Sequence, residues 1–147
     1  MLELKNVTKI YHLKKAEDVV ALDDISLKFP EKGMVFILGK SGSGKSTFLN
    51  VVGGLDSFDR GEIIINGRSS RGFSQSDFDS YRNTYIGFIF QEYNILEELS
   101  VKKNIALALE LQGKDAGEEE IKRILSLVDL DGLEDRKPKE LSGGQKQ

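Results

Sequence analysis

The chain has 147 residues, with Lys+Arg 21 against Asp+Glu 24 and a formal net charge of −3. That length suits one domain with a sizeable core, 39% hydrophobic and 31% charged residues suit a globular protein, and the mild acidity argues against nucleic acid as the main partner. The absence of Cys excludes disulfides and thiolate metal sites, the single His12 argues against a zinc cluster, and the longest strongly apolar run, Met34 to Leu38, is far too short to span a bilayer.

Leu2, Leu4 and Val7 give a rough strand-like alternation, and Ile25, Leu27 and Phe29 alternate cleanly. Pro30 to Gly33 is turn chemistry. Met34 to Leu38 is apolar on both faces and flanked by Gly, which predicts a fully buried strand. A loop from Gly39 to Gly44 follows, then a helix over Lys45 to Val52 that Gly53-Gly54 ends. Gly61 to Gly67 reads as a short strand closed by an Asn-Gly turn. Ser69 to Ser80 reads as polar loop with a short helix, and Tyr85 to Phe90 as another apolar strand. Beyond it the period changes. Val101, Ile105, Ala108 and Leu109 recur at helical spacing with Ser100 as N-cap, and Asp115 with Glu118 resembles a capping pair. Ile121, Ile124, Leu125 and Val128 then repeat at i, i+3, i+4, i+7. The expected organisation is a β-rich part, 1–92, and a helical part, 93–147.

Two segments carry chemistry. Gly39-Lys40-Ser41-Gly42-Ser43-Gly44-Lys45-Ser46, with Thr47 next, matches G-x-x-x-x-G-K-[ST] between a predicted strand and a predicted helix. Glycines let the backbone approach phosphates with its N–H groups inward, and the helix start adds uncapped donors and a positive dipole end. Lys45 would meet the β- and γ-phosphates, the Ser46 hydroxyl would ligate Mg²⁺, and Thr47 would touch the α-phosphate. The plainer reading, a flexible Gly-Ser connection, ignores the context. The second segment is Leu141-Ser142-Gly143-Gly144-Gln145. By itself it is equally a small anion site or a tight turn.

With both motifs together, the sequence resembles the ATP-binding domain of ABC transporters from Leu2 to Gln147. Leu-Ser-Gly-Gly-Gln is that family's defining motif. Gly53-Gly54-Leu55-Asp56, Gly61-Glu62-Ile63, Asn66-Gly67 and Ile86 to Gln91 followed by Tyr93-Asn94 also match. Arg82-Asn83 and the Phe-Gln-x-Tyr-Asn run look most like the lipoprotein- and macrolide-export type and related antimicrobial-peptide transporters.

The resemblance implies an α/β fold: a P-loop NTPase core with an antiparallel β subdomain and a helical subdomain. It implies ATP and Mg²⁺ as cofactors and ATP hydrolysis coupled to transport. Tyr11 would stack on adenine, and Gln91 would be a Mg²⁺ ligand and γ-phosphate sensor at a strand terminus. Ser142, Gly143, Gly144 and Gln145 would cap the γ-phosphate held by a second ATP-binding domain in a head-to-tail dimer, with Ser41 in the same sandwich. The helical part would meet a transmembrane permease, separate or fused, at the cytoplasmic face of the membrane, with no nucleic acid involved. The family also carries a strand ending in Asp-Glu and a switch His after the signature motif. No position in this chain matches them, so the 147 residues are expected to be the N-terminal part of such a domain, to have lost central strands of its parallel sheet, and to bind ATP without significant turnover. The alternatives are another P-loop enzyme, such as a nucleotide kinase or GTPase, and a soluble ABC protein acting on nucleic acid.

Overall fold

The computed structural model describes residues 2–14 and 16–147. Two compact units divide the chain, one ending at Gly87 and one running from Phe88 to Gln147. The first holds a four-stranded antiparallel sheet in the order β2-β1-β3-β4, from β1 (Leu2–Tyr11), β2 (Val19–Lys28), β3 (Arg60–Ile65) and β4 (Arg68–Ser69). Helices α1 (Lys45–Val52) and α2 (Gln75–Tyr85) complete it.

The rough alternation in β1 has a physical cause. Asn6 takes a positive φ of 51°, and the register slips between Leu4 and Val7 against β2 and between Lys5 and Thr8 against β3. One residue is thereby inserted into the period-2 count, as in a β-bulge. The buried positions change from Leu4 to Val7 and Lys9. The Asn6 side chain donates to Asp24 Oδ1 at 2.8 Å, and its N–H to Ser26 Oγ at 2.9 Å, fixing the bulge against β2.

Between β3 and β4, Asn66 and Gly67 both have positive φ, 49° and 82°, as a two-residue hairpin turn of the primed kind demands. The core of this unit joins Leu4, Val7, Leu22, Phe48, Val51, Ile63, Ile65 and Tyr81. Tyr81 donates its hydroxyl to Val52 O at 2.9 Å, and burial pushes its pKa up to about 12.

Three expectations are corrected here. Met34 to Leu38 forms no strand: Met34, Phe36 and Leu38 are exposed, and only Ile37 packs on the core. Nor do residues 86–90 form one, because α2 runs through Tyr85 and the following backbone has no ladder partner. A strand exists only through a neighbour's hydrogen bonds, and among the described residues none is paired with either run. The polar stretch after Ser69 is more helical than its composition suggests. Ser74 and Asp77 form a reciprocal capping box, and the Tyr81 and Tyr85 rings, one turn apart, lie 6.2 Å from each other.

The second unit holds α3 (Val101–Leu111), α4 (Glu118–Leu127), a 3₁₀ turn over Pro138–Glu140 and α5 (Gly143–Lys146). Val101, Ile121 and Leu125 form its buried centre, with Ile105, Leu109, Leu130 and Leu141 packed on it. Ser100 stands at the N-cap of α3, but its hydroxyl makes no capping bond. The first-turn N–H groups of Val101 and Lys102 instead donate to Arg136 O and Glu134 O at 2.8 and 2.9 Å. The Asp115–Glu118 capping pair does not form. Gly117 is the N-cap of α4, and Asp115 Oδ1 accepts the Gly117 N–H at 3.0 Å.

Candidate functional site

Gly39 to Gly44 leads into α1 through Gly44, whose φ of 84° and ψ of 4° lie in the left-handed region. A Cβ there would stand 2.3 Å from the Ala21 carbonyl oxygen in β2, so sterics and dihedral both demand glycine. The turn is closed by Ser43 N–H on Lys40 O at 3.2 Å. Phe48, donating to Gly44 O at 2.8 Å, is the first residue of α1 whose N–H reaches a backbone carbonyl behind it. The N–H groups of Lys45, Ser46 and Thr47 therefore stand as the unspent donors of the first turn. The Lys45 ammonium is held within the loop, on Gly39 O at 3.0 Å and Lys40 O at 2.7 Å, with Ser43 Oγ at 3.5 Å. Lys40, Ser41, Gly42, Ser43 and Ser46 are exposed.

Tyr11, the last residue of β1, comes to this helix. Its hydroxyl lies 2.8 Å from Asp56 Oδ2 and 3.4 Å from Thr47 Oγ1. Lys9, on the same strand face, is 7% exposed and donates to Asp56 Oδ1 at 2.9 Å. Burial alone would raise the Asp56 carboxyl. Hydrogen bonds from Lys9 and Tyr11, the Lys9 charge and the Ser57 N–H outweigh it and hold the pKa below its ordinary 3.8. His12, next to Tyr11, is exposed and faces Asp18 at 2.8 Å.

The remaining predicted residues belong to the second unit. Gln91 is exposed in a turn rather than at a strand end. Two residues on, Tyr93 and Asn94 both have positive φ, 26° and 52°, a conformation uncommon outside glycine. The Tyr93 hydroxyl lies 3.1 Å from where a Cβ on Gly143 would stand, so this turn abuts the second motif. Within that motif, Ser142 Oγ accepts the Gln145 N–H at 3.3 Å and Gln145 Oε1 accepts the Ser142 N–H at 2.9 Å. This capping box uses acceptors of both side chains and leaves the Ser142 hydroxyl proton and the Gln145 amide NH₂ as donors. Gly144 is exposed beside them.

The structure thus gathers Gly39 to Thr47 with Tyr11 in one unit, and Gln91 with Ser142 to Gln145 in the other. Lys9 and Asp56 were not singled out from the sequence. The Val7-Lys9-Tyr11 spacing was the one hint of an inward Lys9, against the Leu2-Leu4 alternation that turns it outward, and nothing local pointed to Asp56. Nor was Asn104 singled out, whose amide accepts Leu96 N–H at 2.8 Å and donates to Leu96 O, Leu99 O and Ser100 O at 3.1–3.3 Å, clamping the segment before α3.

The donor set fits a polyphosphate: an ammonium, three helix-start N–H groups and two hydroxyls lie within consecutive residues. Among the described residues, no three His or acidic side chains group to hold a metal ion, so a divalent cation at Ser46 would draw most of its oxygens from phosphate and water. No helix of the described residues is long and apolar enough to cross a membrane.

Known proteins resemble the chain in sequence and in fold. The ABC transporter family pattern matches residues 22–147. The chain is 42% identical, over 98% of its length, to the methionine import ATP-binding protein MetN 1 of Rhodopseudomonas palustris, of which it spans 39%. It is 37% identical, over its full length, to the lipoprotein-releasing system ATP-binding protein LolD of Chromohalobacter salexigens, of which it spans 62%. Among solved structures it superposes with a TM-score of 0.87 at 37% identity on the ATP-binding cassette MJ0796 of Methanocaldococcus jannaschii. The match covers 99% of this chain and 65% of that one, a dimer in a post-hydrolysis state bound to ADP and Pi. The chain therefore spans less than two thirds of the length of these relatives.

Proposed function

This chain belongs to the ABC transporter family, as an ATP-binding domain of α/β P-loop type, and from that premise we propose that it binds Mg-ATP and serves a transporter whose whole protein hydrolyses it. The observation that carries the proposal is the Gly39–Ser46 loop, with the Lys45 ammonium held inside it and three unspent N–H groups on α1.

The roles of the residues follow from their donors. The loop N–H groups and Lys45 bind the β- and γ-phosphates, the Thr47 N–H meets the α-phosphate, and the Tyr11 ring carries adenine. Ser46 and Gln91 would hold Mg²⁺, which supplies charge neutralisation on the phosphate oxygens. In a head-to-tail pair, Ser142 and Gln145 offer their remaining donors to the γ-phosphate of the other domain, with Gly143, Gly144 and Ser41 close by. Such a constellation stabilises charge as it develops on a transferring phosphoryl group. The dimeric state of MJ0796 supports this pairing.

The partner we propose is a transmembrane permease, which places the domain at the cytoplasmic face of a membrane. Export is the proposed direction. The Phe90-Gln91-x-Tyr93-Asn94 run and the likeness to a lipoprotein-releasing protein support it, whereas the likeness to a methionine import protein supports uptake. Transport assays in inverted vesicles separate the two directions.

Calorimetric titration of the full chain with Mg-ATP tests the core of the proposal. Losing a charge-assisted contact to phosphate costs about 1.5–3 kcal/mol, so Lys45→Ala should weaken binding by about ten- to a hundredfold. Equal affinity in wild type and variant would remove Lys45 from the site.

A further inference from the structure

We propose that Asp56 and Lys9 are positioning residues for the nucleotide base, acting through the Tyr11 ring; this rests on the ATP-binding reading above. A carboxylate only accepts, so the single phenolic proton of Tyr11 is committed to Asp56 Oδ2 at 2.8 Å. The contact at 3.4 Å between the Tyr11 and Thr47 oxygens then has the Thr47 hydroxyl as donor. The other carboxylate oxygen, Oδ1, takes the Lys9 ammonium at 2.9 Å and the Ser57 N–H at 2.8 Å. Hydrogen bonds thus run in one direction from Thr47 to Tyr11 to Asp56, and Lys9 closes the far end.

The four members come from three parts of the fold. Thr47 is in the first turn of α1, next to the phosphate loop. Asp56 follows the end of α1, where its N–H and that of Leu55 both donate to Asn50 O, at 3.2 and 2.8 Å. Lys9 and Tyr11 are in β1. The Lys9 ammonium also lies over the Tyr11 ring, 5.1 Å from its centroid. One ring face is thereby occupied by a cation, and the opposite face is the one a base can cover. Tyr11 is 36% exposed as a whole residue, so a base can reach it. Asp56 accordingly fixes two quantities: which face of Tyr11 is presented, and the distance from that face to the first turn of α1, where the phosphates are bound. Lys9 is needed because its side chain is 9% exposed, so its charge has to be compensated by a carboxylate in reach.

The test compares Mg-ATP with Mg-tripolyphosphate, which carries the phosphates without a base, by titration of the full chain. Tyr11→Phe keeps the ring and removes only the link to Asp56 and Thr47; Asp56→Asn removes the charge that Lys9 and Tyr11 share. Each variant should weaken ATP by about five- to tenfold, the worth of a hydrogen bond near 1 kcal/mol, and tripolyphosphate by less than about twofold. The double variant should be no weaker than Asp56→Asn alone, because both changes break one chain of contacts. Equal losses for the two ligands, or additive losses in the double variant, would overturn the proposal by making Asp56 a general structural residue. If Asp56→Asn does not fold, Tyr11→Phe alone decides by the same ratio. Wild-type chain that binds neither ligand would defeat the ATP-binding reading and this one together. Wild-type binding with unaffected variants defeats only this one.

Discussion

Replacing Gly44 by Ala isolates the contact that seats the phosphate loop on the sheet. Two costs arise. A side chain at φ 84° pays about 1–2 kcal/mol for the left-handed conformation. The new Cβ also falls 2.3 Å from Ala21 O and 3.5 Å from Ala21 C, both backbone atoms of β2, so the clash cannot be relieved by a rotamer change. Overpacking of this sort costs about 1–3 kcal/mol. Gly42 provides the control: its φ is 76°, and a Cβ there meets nothing within 4 Å. Gly42→Ala should therefore cost only the conformational part. The steric part is the difference between the two variants, about 1–3 kcal/mol. With a urea slope of about 2 kcal/mol per M, that separates their unfolding midpoints by roughly 0.5–1.5 M. Coincident midpoints would refute the close seating of Gly44 against β2, whatever either variant did to nucleotide binding.

Three further outcomes are expected. Leu125 is 1% exposed at the centre of the second unit, so Leu125→Ala should destabilise that unit by about 2–5 kcal/mol in chemical denaturation, and a loss under 1 kcal/mol would argue against its burial. Asn104→Ala removes the clamp on the segment before α3, so hydrogen exchange at the Leu96 amide should accelerate by about tenfold or more while amides within α4 keep their protection. The Asp56 carboxyl is held below 3.8, so the stability it contributes is complete above about pH 4 and is lost as the pH falls through its lowered folded value. The melting temperatures of wild type and Asp56→Asn should therefore converge from pH 6 towards pH 3; a constant difference would show that the carboxylate charge is not what matters.

Local signals were the legible ones. The loop and α1 were readable because an eight-residue motif and the helix it opens lie together in sequence. β3 with its Asn-Gly turn, α3 and α4 were readable from period and punctuation alone. Met34 to Leu38 and Tyr85 to Phe90 have strand composition, but pairing is a property of two segments, and neither run records whether its neighbour is present. The start of α4 was misplaced because Asp115 spends its carboxylate on an Asx-type turn at Gly117 before the helix begins. The Lys9–Asp56 pair was out of reach for another reason. Its members are 47 positions apart, and each has an ordinary surface explanation until the other is known. Such a contact becomes visible only when the strand and the end of α1 are placed side by side.

The bulge at Asn6 has a consequence for how much of β1 can be edited. If the strand kept all its residues but ran on without the bulge, the even positions that begin it inward at Leu2 and Leu4 would continue inward at Thr8 and Ile10, and Lys9 and Tyr11 would be turned to the other surface. Deleting Asn6 would remove the extra residue itself and leave Val7, Lys9 and Tyr11 facing as they do now, whereas a β-branched residue at position 6, which disfavours φ 51°, would keep the residue count and press the second half of the strand, with the aromatic ring beside Thr47, towards the opposite facing. The facing of Tyr11 thus depends on a backbone conformation five residues away that touches no candidate ligand contact, and in a strand that can no longer bulge it would be restored by a single-residue deletion at position 6 rather than by any substitution at the site.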